Sequence, residues 1–120
     1  MKACIPAEAP ELDARVDQRL GRAACFVLVD SETDAILISL PNVVNTQAAQ
    51  GAGVQAGQAI ASLEPDAVLC ANCGPKAFRV LQAAGIKVFL GAAGTVGEAV
   101  RALREGRLQE ATEANVDGHW

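Results

Sequence analysis

Five short stretches of the chain are apolar in a way that suits extended backbone: Lys2–Pro6, Ala24–Asp30, Ala35–Pro41, Ala67–Ala71 and Ile86–Leu90. Each has strand length and a β-branched or aliphatic character. In the second, Cys25, Val27 and Val29 alternate with Phe26 and Leu28, so both alternating sets are apolar. Such a strand belongs to a sheet covered on both faces, and helices must supply the covers.

Three segments carry helical spacing. Between Pro75 and Ala84, the residues Ala77, Val80, Leu81 and Ala84 share one face, with Pro75 suited to the first turn and Gly85 to the stop. Between Thr95 and Glu105, the residues Val96, Ala99, Val100 and Leu103 repeat that pattern. Thr95 and Glu98 form a potential capping box there, and Gly106 ends the segment. Between Gly51 and Leu63 the glycines lower helix propensity, but Gly53, Ala56, Ile60 and Leu63 line a face of small and apolar residues that can approach a sheet closely.

The predicted order is β-β-β-α-β-α-β-α in one α/β domain spanning residues 1–120, with Ser31–Asp34 turning between the second and third strands. The later βαβ units make right-handed parallel crossovers. The polar tail from Arg107 to Trp120 is expected to be loosely held. With the second strand antiparallel to the other four, the loops Ala7–Arg22, Asn42–Gln50, Ala71–Gly74 and Gly91–Gly94 open at one sheet edge. Ligands of open α/β sheets bind at that carboxyl edge.

Composition narrows the function. The 120 residues are 51% hydrophobic, enough for a real core. No apolar run reaches the roughly 18 residues of a membrane span, and no basic-then-apolar leader opens the chain. A cytoplasmic protein without a membrane partner is expected. A net charge of −4, scattered cations and 3% aromatics argue against nucleic acid as a partner. Four cysteines in so aliphatic a chain are expected to be reduced thiols.

Cys70 and Cys73, spaced Cys-x-x-Cys before a Gly-Pro pair, admit three interpretations: a metal clip, a redox pair, or a turn that contains sulfur. A closed zinc site needs two further ligands, and no second such pair exists. Cys4 and Cys25 lie inside strands and are expected to be small buried residues. His119, the only histidine, stands one residue from the end. Arg22, Lys76 and Arg79 fall near the proposed edge, where the helix starting at Pro75 offers unpaired N–H groups to an anion. Arg101 is placed on a helix remote from that edge. The loop Gly91–Thr95 is glycine-rich but lacks the lysine of a phosphate loop. No serine–histidine–acid set or carboxylate pair is evident, so a binding protein is expected rather than an enzyme.

The stretches VDQRLGRAACFVLVD, GAGVQAGQAIA, CGPKAFRVLQAAGIKVFLGAAGTVGEAV and ANVDGHW together resemble the dinitrogenase iron–molybdenum cofactor biosynthesis family, whose domain is shared by NifX, NafY and the C-terminal part of many NifB proteins. Its FGRA motif corresponds to Leu20–Ala23, its GPKA motif to Gly74–Ala77 and its terminal GH to Gly118–His119, with Leu20 replacing the usual phenylalanine and Cys25 standing where an aromatic is common. The resemblance implies a ribonuclease H-like fold, here a five-stranded mixed sheet with helices on both faces. It also implies a carrier of iron–sulfur or iron–molybdenum clusters, or of the molybdenum–copper sulfide cluster of the orange-protein type, exchanging them with donor and acceptor proteins. Arg22, Gly74, Lys76, Gly91 and Gly94 are then the expected cofactor-binding positions, with Cys70, Cys73 and His119 touching metal. The alternative is a metal-free regulatory or scaffold module that binds a partner protein.

Overall fold

The computed structural model describes residues 1–42 and 51–115. The strands are β1 (Lys2–Ala7), β2 (Cys25–Asp30), β3 (Ile36–Pro41), β4 (Ala67–Leu69), β5 (Lys87–Leu90) and β6 (Gln109–Glu110). The helices are α1 (Ala52–Ser62), α2 (Pro75–Ala83) and α3 (Val96–Arg104), and a 3-10 turn covers Leu20–Arg22. Most of the predicted loop Asn42–Gln50, and His119 with the end of the tail, lie outside the described residues.

The sheet runs β3-β2-β1-β4-β5-β6. β2 is antiparallel to both β1 and β3, whereas β1, β4 and β5 are mutually parallel. The sixth strand corrects the expectation of five. It comes from the tail that was expected to be loose, and it pairs antiparallel with β5 through Phe89↔Glu110 and Leu90↔Gln109. Both of its residues are polar and exposed, so backbone hydrogen bonds alone hold it, continued by the Ala111 amide donating to the Val88 carbonyl at 2.8 Å.

The two-faced alternation of β2 sorts the core. Phe26 and Leu28 join Cys4, Val68, Cys70 and Val88 under α1 and α2, packed against Ile60, Phe78 and Leu81. Cys25, Val27 and Val29 join Ala3, Ile5 and Leu69 under α3, packed against Val96, Ala99 and Val100. α1 and α2 pack closely because of Gly57: a Cβ there would lie 2.9 Å from Val80 Cβ. The capping box on α3 forms as the sequence predicts. The Glu98 amide donates to Thr95 Oγ1 at 3.1 Å and the Thr95 amide donates to Glu98 Oε1 at 3.0 Å. β3 is an edge strand whose Ile36, Leu37 and Ile38 stay exposed. No helix among the described residues is long and apolar enough to cross a membrane.

Candidate functional site at the carboxyl edge

Three adjacent parallel strands, β1, β4 and β5, end at the same edge, and the loops that follow them meet there. A cavity of about 490 Å³ opens between these loops, lined by Glu8, Arg15, Val16, Gln18, Ala71, Asn72 and residues 91–94. The long loop after β1 is ordered by hydrogen bonds to the opposite wall and back to β1 itself. The Val16 amide donates to the Gly94 carbonyl at 2.9 Å, and the Asp17 amide to the Pro6 carbonyl at 2.9 Å. Gly91 and Gly94 turn the far wall with φ of 88° and 75°, a region that disfavours side chains. At Gly94 a Cβ would also come within 2.7 Å of Glu98 Oε1.

The wall is rich in unspent donors. The amides of Ala71, Asn72, Ala93 and Gly94 donate to no acceptor among the described residues, and Arg15 adds an exposed guanidinium. Glu8 is the one opposing charge among the described lining residues. Such a surface suits an anion larger than a single phosphate oxygen can fill. By contrast, the first amides of α3 are already used: Val96 donates to Ala14 O at 2.9 Å, Gly97 to Leu12 O at 2.8 Å, and Glu98 to Thr95 Oγ1 at 3.1 Å. α3 therefore offers its positive end to its own chain.

The expected site residues divide between two places. Gly91 and Gly94 line the cavity, whereas Arg22, Gly74 and Lys76 do not. Arg22 closes the 3-10 turn and is half-buried, with the turn's Gly21 and the following Ala23 tied to Asn42 Nδ2, which donates to their carbonyls at 3.3 and 2.9 Å. Lys76 is exposed in the first turn of α2, where Gly53 of α1 approaches so closely that a Cβ would lie 3.5 Å from the Ala77 nitrogen. α1 thus packs against one side of the helix start on which an anion was expected. Arg101 is not remote: with Arg107 it lines a second cavity, of about 330 Å³, on the other side of Gly91, Ala93 and Gly94.

Cys70 and Cys73 occupy the predicted turn but face inward. Their side chains are 1% and 0% exposed and belong to the core layer that also holds Cys4. The reason is periodicity: Cys70 continues the alternation of Val68, and its amide extends the β4–β5 ladder by donating to Phe89 O at 3.0 Å. The intervening Ala71 and Asn72 face the cavity instead. The Cys70 thiol donates to Phe89 O and the Cys73 thiol to Gly74 O, each at 3.6 Å. The neighbouring Cys73 thiol, and then burial, raise the Cys70 pKa well above its ordinary value, whereas the neighbouring Cys70 lowers that of Cys73 against the opposing effect of burial. No group of three or more metal-ligating side chains forms among the described residues. The two thiols are therefore not exposed edge ligands, and His119 lies outside the described residues.

Residues that the sequence reading passed over are Arg15 and Asn115. Only the length of the loop after β1 hinted at the first. Asn115 is the second residue of the tail motif ANVDGHW. Its side chain accepts from the Cys73 amide at 2.7 Å and donates to Asn72 Oδ1 at 3.2 Å.

Comparison with known proteins gives this geometry a context. The apo form of the orange protein from Desulfovibrio gigas is 40% identical, with 96% of each chain covered and a TM-score of 0.88. A Thermotoga protein assigned as NifB is 30% identical over 96% of this chain and 97% of its own, with a TM-score of 0.76. An uncharacterised protein of Methanocaldococcus jannaschii is 27% identical over 112 residues, 92% of this chain and 91% of that protein. The model of the dinitrogenase iron–molybdenum cofactor family matches residues 1–106, which contain all three helices and the five strands β1 to β5. The chain belongs to the dinitrogenase iron–molybdenum cofactor family.

Proposed function

We propose that the chain is a carrier, not a catalyst, and that its cargo is an anionic metal–sulfide cluster of the iron–sulfur, iron–molybdenum or molybdenum–copper kind. The observation that carries this is the carboxyl-edge cavity, where Arg15 faces the amides of Ala71, Asn72, Ala93 and Gly94, which donate to no acceptor among the described residues. Sulfide-rich clusters are large polarisable anions, and backbone donors hold such a surface without committing a ligand to one metal atom. A carrier gains from that, because cargo held by hydrogen bonds and charge leaves without breaking a metal–thiolate bond. Arg22, Gly74 and Lys76 would guide the anion from the neighbouring layer, and Gly91 and Gly94 would let it approach the backbone. Cys70 and Cys73 lie beneath the cavity wall in this view. Exchange takes place with donor and acceptor proteins in the cytoplasm. The strand order β3-β2-β1-β4-β5 with β2 antiparallel supports a ribonuclease H-like ancestry for the scaffold.

Anaerobic incubation with tetrathiomolybdate and copper(I), or with iron and sulfide, followed by gel filtration, tests the proposal. Co-elution of metal and a visible absorption band with the protein is expected. Protein that elutes free of metal from each mixture would overturn it and favour the metal-free partner-binding module, for which the exposed apolar edge of β3 is the supporting feature.

A further inference from the structure

The four cysteines are chemically unequal, and the difference follows from their surroundings. Cys25 sits in the α3 layer with its thiol 3.6 Å from the Ala7 carbonyl. Cys4 is fully buried in the other layer, where burial raises its pKa far above 9.0 and keeps it a thiol. Cys70 and Cys73 stand at the two ends of a four-residue turn and bury their side chains in the same core layer, the Cys70 thiol donating to Phe89 O and the Cys73 thiol to Gly74 O, each at 3.6 Å. The backbone of Cys73 is fixed from the far side by Asn115, which accepts from its amide at 2.7 Å and donates to its carbonyl at 3.1 Å.

We propose that Cys70 and Cys73 form an oxidisable dithiol, converted to an intramolecular disulfide by hydrogen peroxide or another water-sized hydroperoxide. The turn supplies proximity, since both side chains are buried in one core layer and the ring closes over Ala71 and Asn72 only. Burial selects the oxidant: at 1% and 0% exposure the side chains exclude a bulky disulfide, whereas peroxide is hardly larger than water. Cys73 is the attacking sulfur, because it stands in the loop beyond the ladder that holds Cys70, and the neighbouring Cys70 favours its thiolate. Its thiolate attacks one peroxide oxygen, the O–O bond breaks, and hydroxide leaves to become water, giving a sulfenic acid at Cys73. Cys70 then attacks the Cys73 sulfur and its proton leaves with the hydroxyl as a second water. The dithiol loses two electrons and two protons, and one peroxide becomes two waters. Ala71 and Asn72 are wall residues of the edge cavity, so closing this ring reshapes that wall. The inference rests on the thiol geometry and stands whether or not the cavity carries a cluster.

The fully reduced, cargo-free chain is treated with peroxide, quenched, unfolded and alkylated, and its peptides are weighed. Expected are a mass lower by two hydrogens, a Cys70–Cys73 link, and alkylation retained at Cys4 and Cys25 alone. Glutathione disulfide over the same period should leave all four cysteines alkylated. In Cys70→Ser, a dimedone adduct should accumulate at Cys73, and in Cys73→Ser no adduct should form at Cys70. Alkylation of all four cysteines after peroxide, or a link from Cys4 to Cys70, would overturn the proposal, and the wild-type chain alone decides both. Oxidation by glutathione disulfide as fast as by peroxide would overturn the assigned oxidant.

Discussion

Cys73 and Asn115 are joined twice: the Cys73 amide donates to Asn115 Oδ1 at 2.7 Å, and the Asn115 amide donates back to the Cys73 carbonyl at 3.1 Å. Forty-two positions of chain separate them, so the pair closes the tail over the cysteine turn. Asn115→Ala keeps the second bond and removes the first, leaving a partly buried amide without an acceptor. The expected cost is about 1–3 kcal/mol in urea unfolding, with faster hydrogen exchange at the Cys73 amide. Asn115→Asp retains the acceptor and should restore the slow exchange. Unchanged exchange in the alanine variant would mean that the tail does not hold the turn.

Two glycines of α1 face α2 and should respond oppositely to the same substitution. At Gly57 a Cβ would lie 2.9 Å from Val80 Cβ and 3.0 Å from Val80 Cγ1. Overpacking of about 1–3 kcal/mol then exceeds a helix-propensity gain of about 1 kcal/mol. At Gly53 the nearest contacts are 3.5 and 3.6 Å, which is ordinary packing, so Gly53→Ala should stabilise by up to about 1 kcal/mol. Val80→Ala combined with Gly57→Ala should recover part of the loss. Melting temperatures of the four chains decide the matter, and a stabilised Gly57→Ala would refute the close packing.

Removing the α3 cap with Thr95→Ala should cost about 1 kcal/mol. Glu98 reports the same cap through its pKa, which lies below the ordinary 4.5 because the Thr95 amide, and then the Thr95 hydroxyl, engage it. A carboxyl depressed in the folded state stabilises it above the ordinary value, and that contribution disappears as pH falls through the folded value. In Thr95→Ala the Glu98 resonance should titrate nearer the ordinary value. An unmoved titration would show that the hydroxyl has no part in it.

Cys4→Ser and Cys25→Ser should differ. The first places a hydroxyl among apolar neighbours at 0% exposure, a cost of about 1–3 kcal/mol. The second inherits the Ala7 carbonyl, 3.6 Å from the present thiol, as an acceptor and should lose less. Equal losses in thermal unfolding would remove that carbonyl from the explanation.

Charge reversal locates the cargo. Arg15→Glu should weaken retention of thiomolybdate-derived clusters by at least about tenfold, the equivalent of about 1.4 kcal/mol. Arg22→Glu and Lys76→Glu should weaken it less, and Lys87→Glu, at the start of β5 and so at the opposite edge of the sheet, should leave it unchanged. Titration of the four variants with one cluster preparation gives the order. Equal retention by all of them would place the anion elsewhere.

The alternation in β2 and the capping box on α3 were legible because each is a periodic pattern of side chains, and side-chain pattern is what a sequence displays. β6 was not, since Gln109 and Glu110 contribute backbone alone. The depth of Cys70 was legible in retrospect: it stands two positions after Val68, and strand periodicity carries past the strand's end. The cavity was legible as an edge but not as a lining. Arg15 joins it through the Val16–Gly94 hydrogen bond, a long-range contact without any local signature.

The position of β1 has a consequence in time. In the finished sheet it lies between β2 and β4, paired to residues 25–30 on one side and to Ala67 and Val68 on the other. A ribosome adding about 5–20 residues per second makes the β1-β2-β3 meander a matter of seconds before it makes β4. During that interval the nascent chain already owns its antiparallel ladders, while the covering helices do not yet exist. The strand destined for the centre spends its first moments as a border.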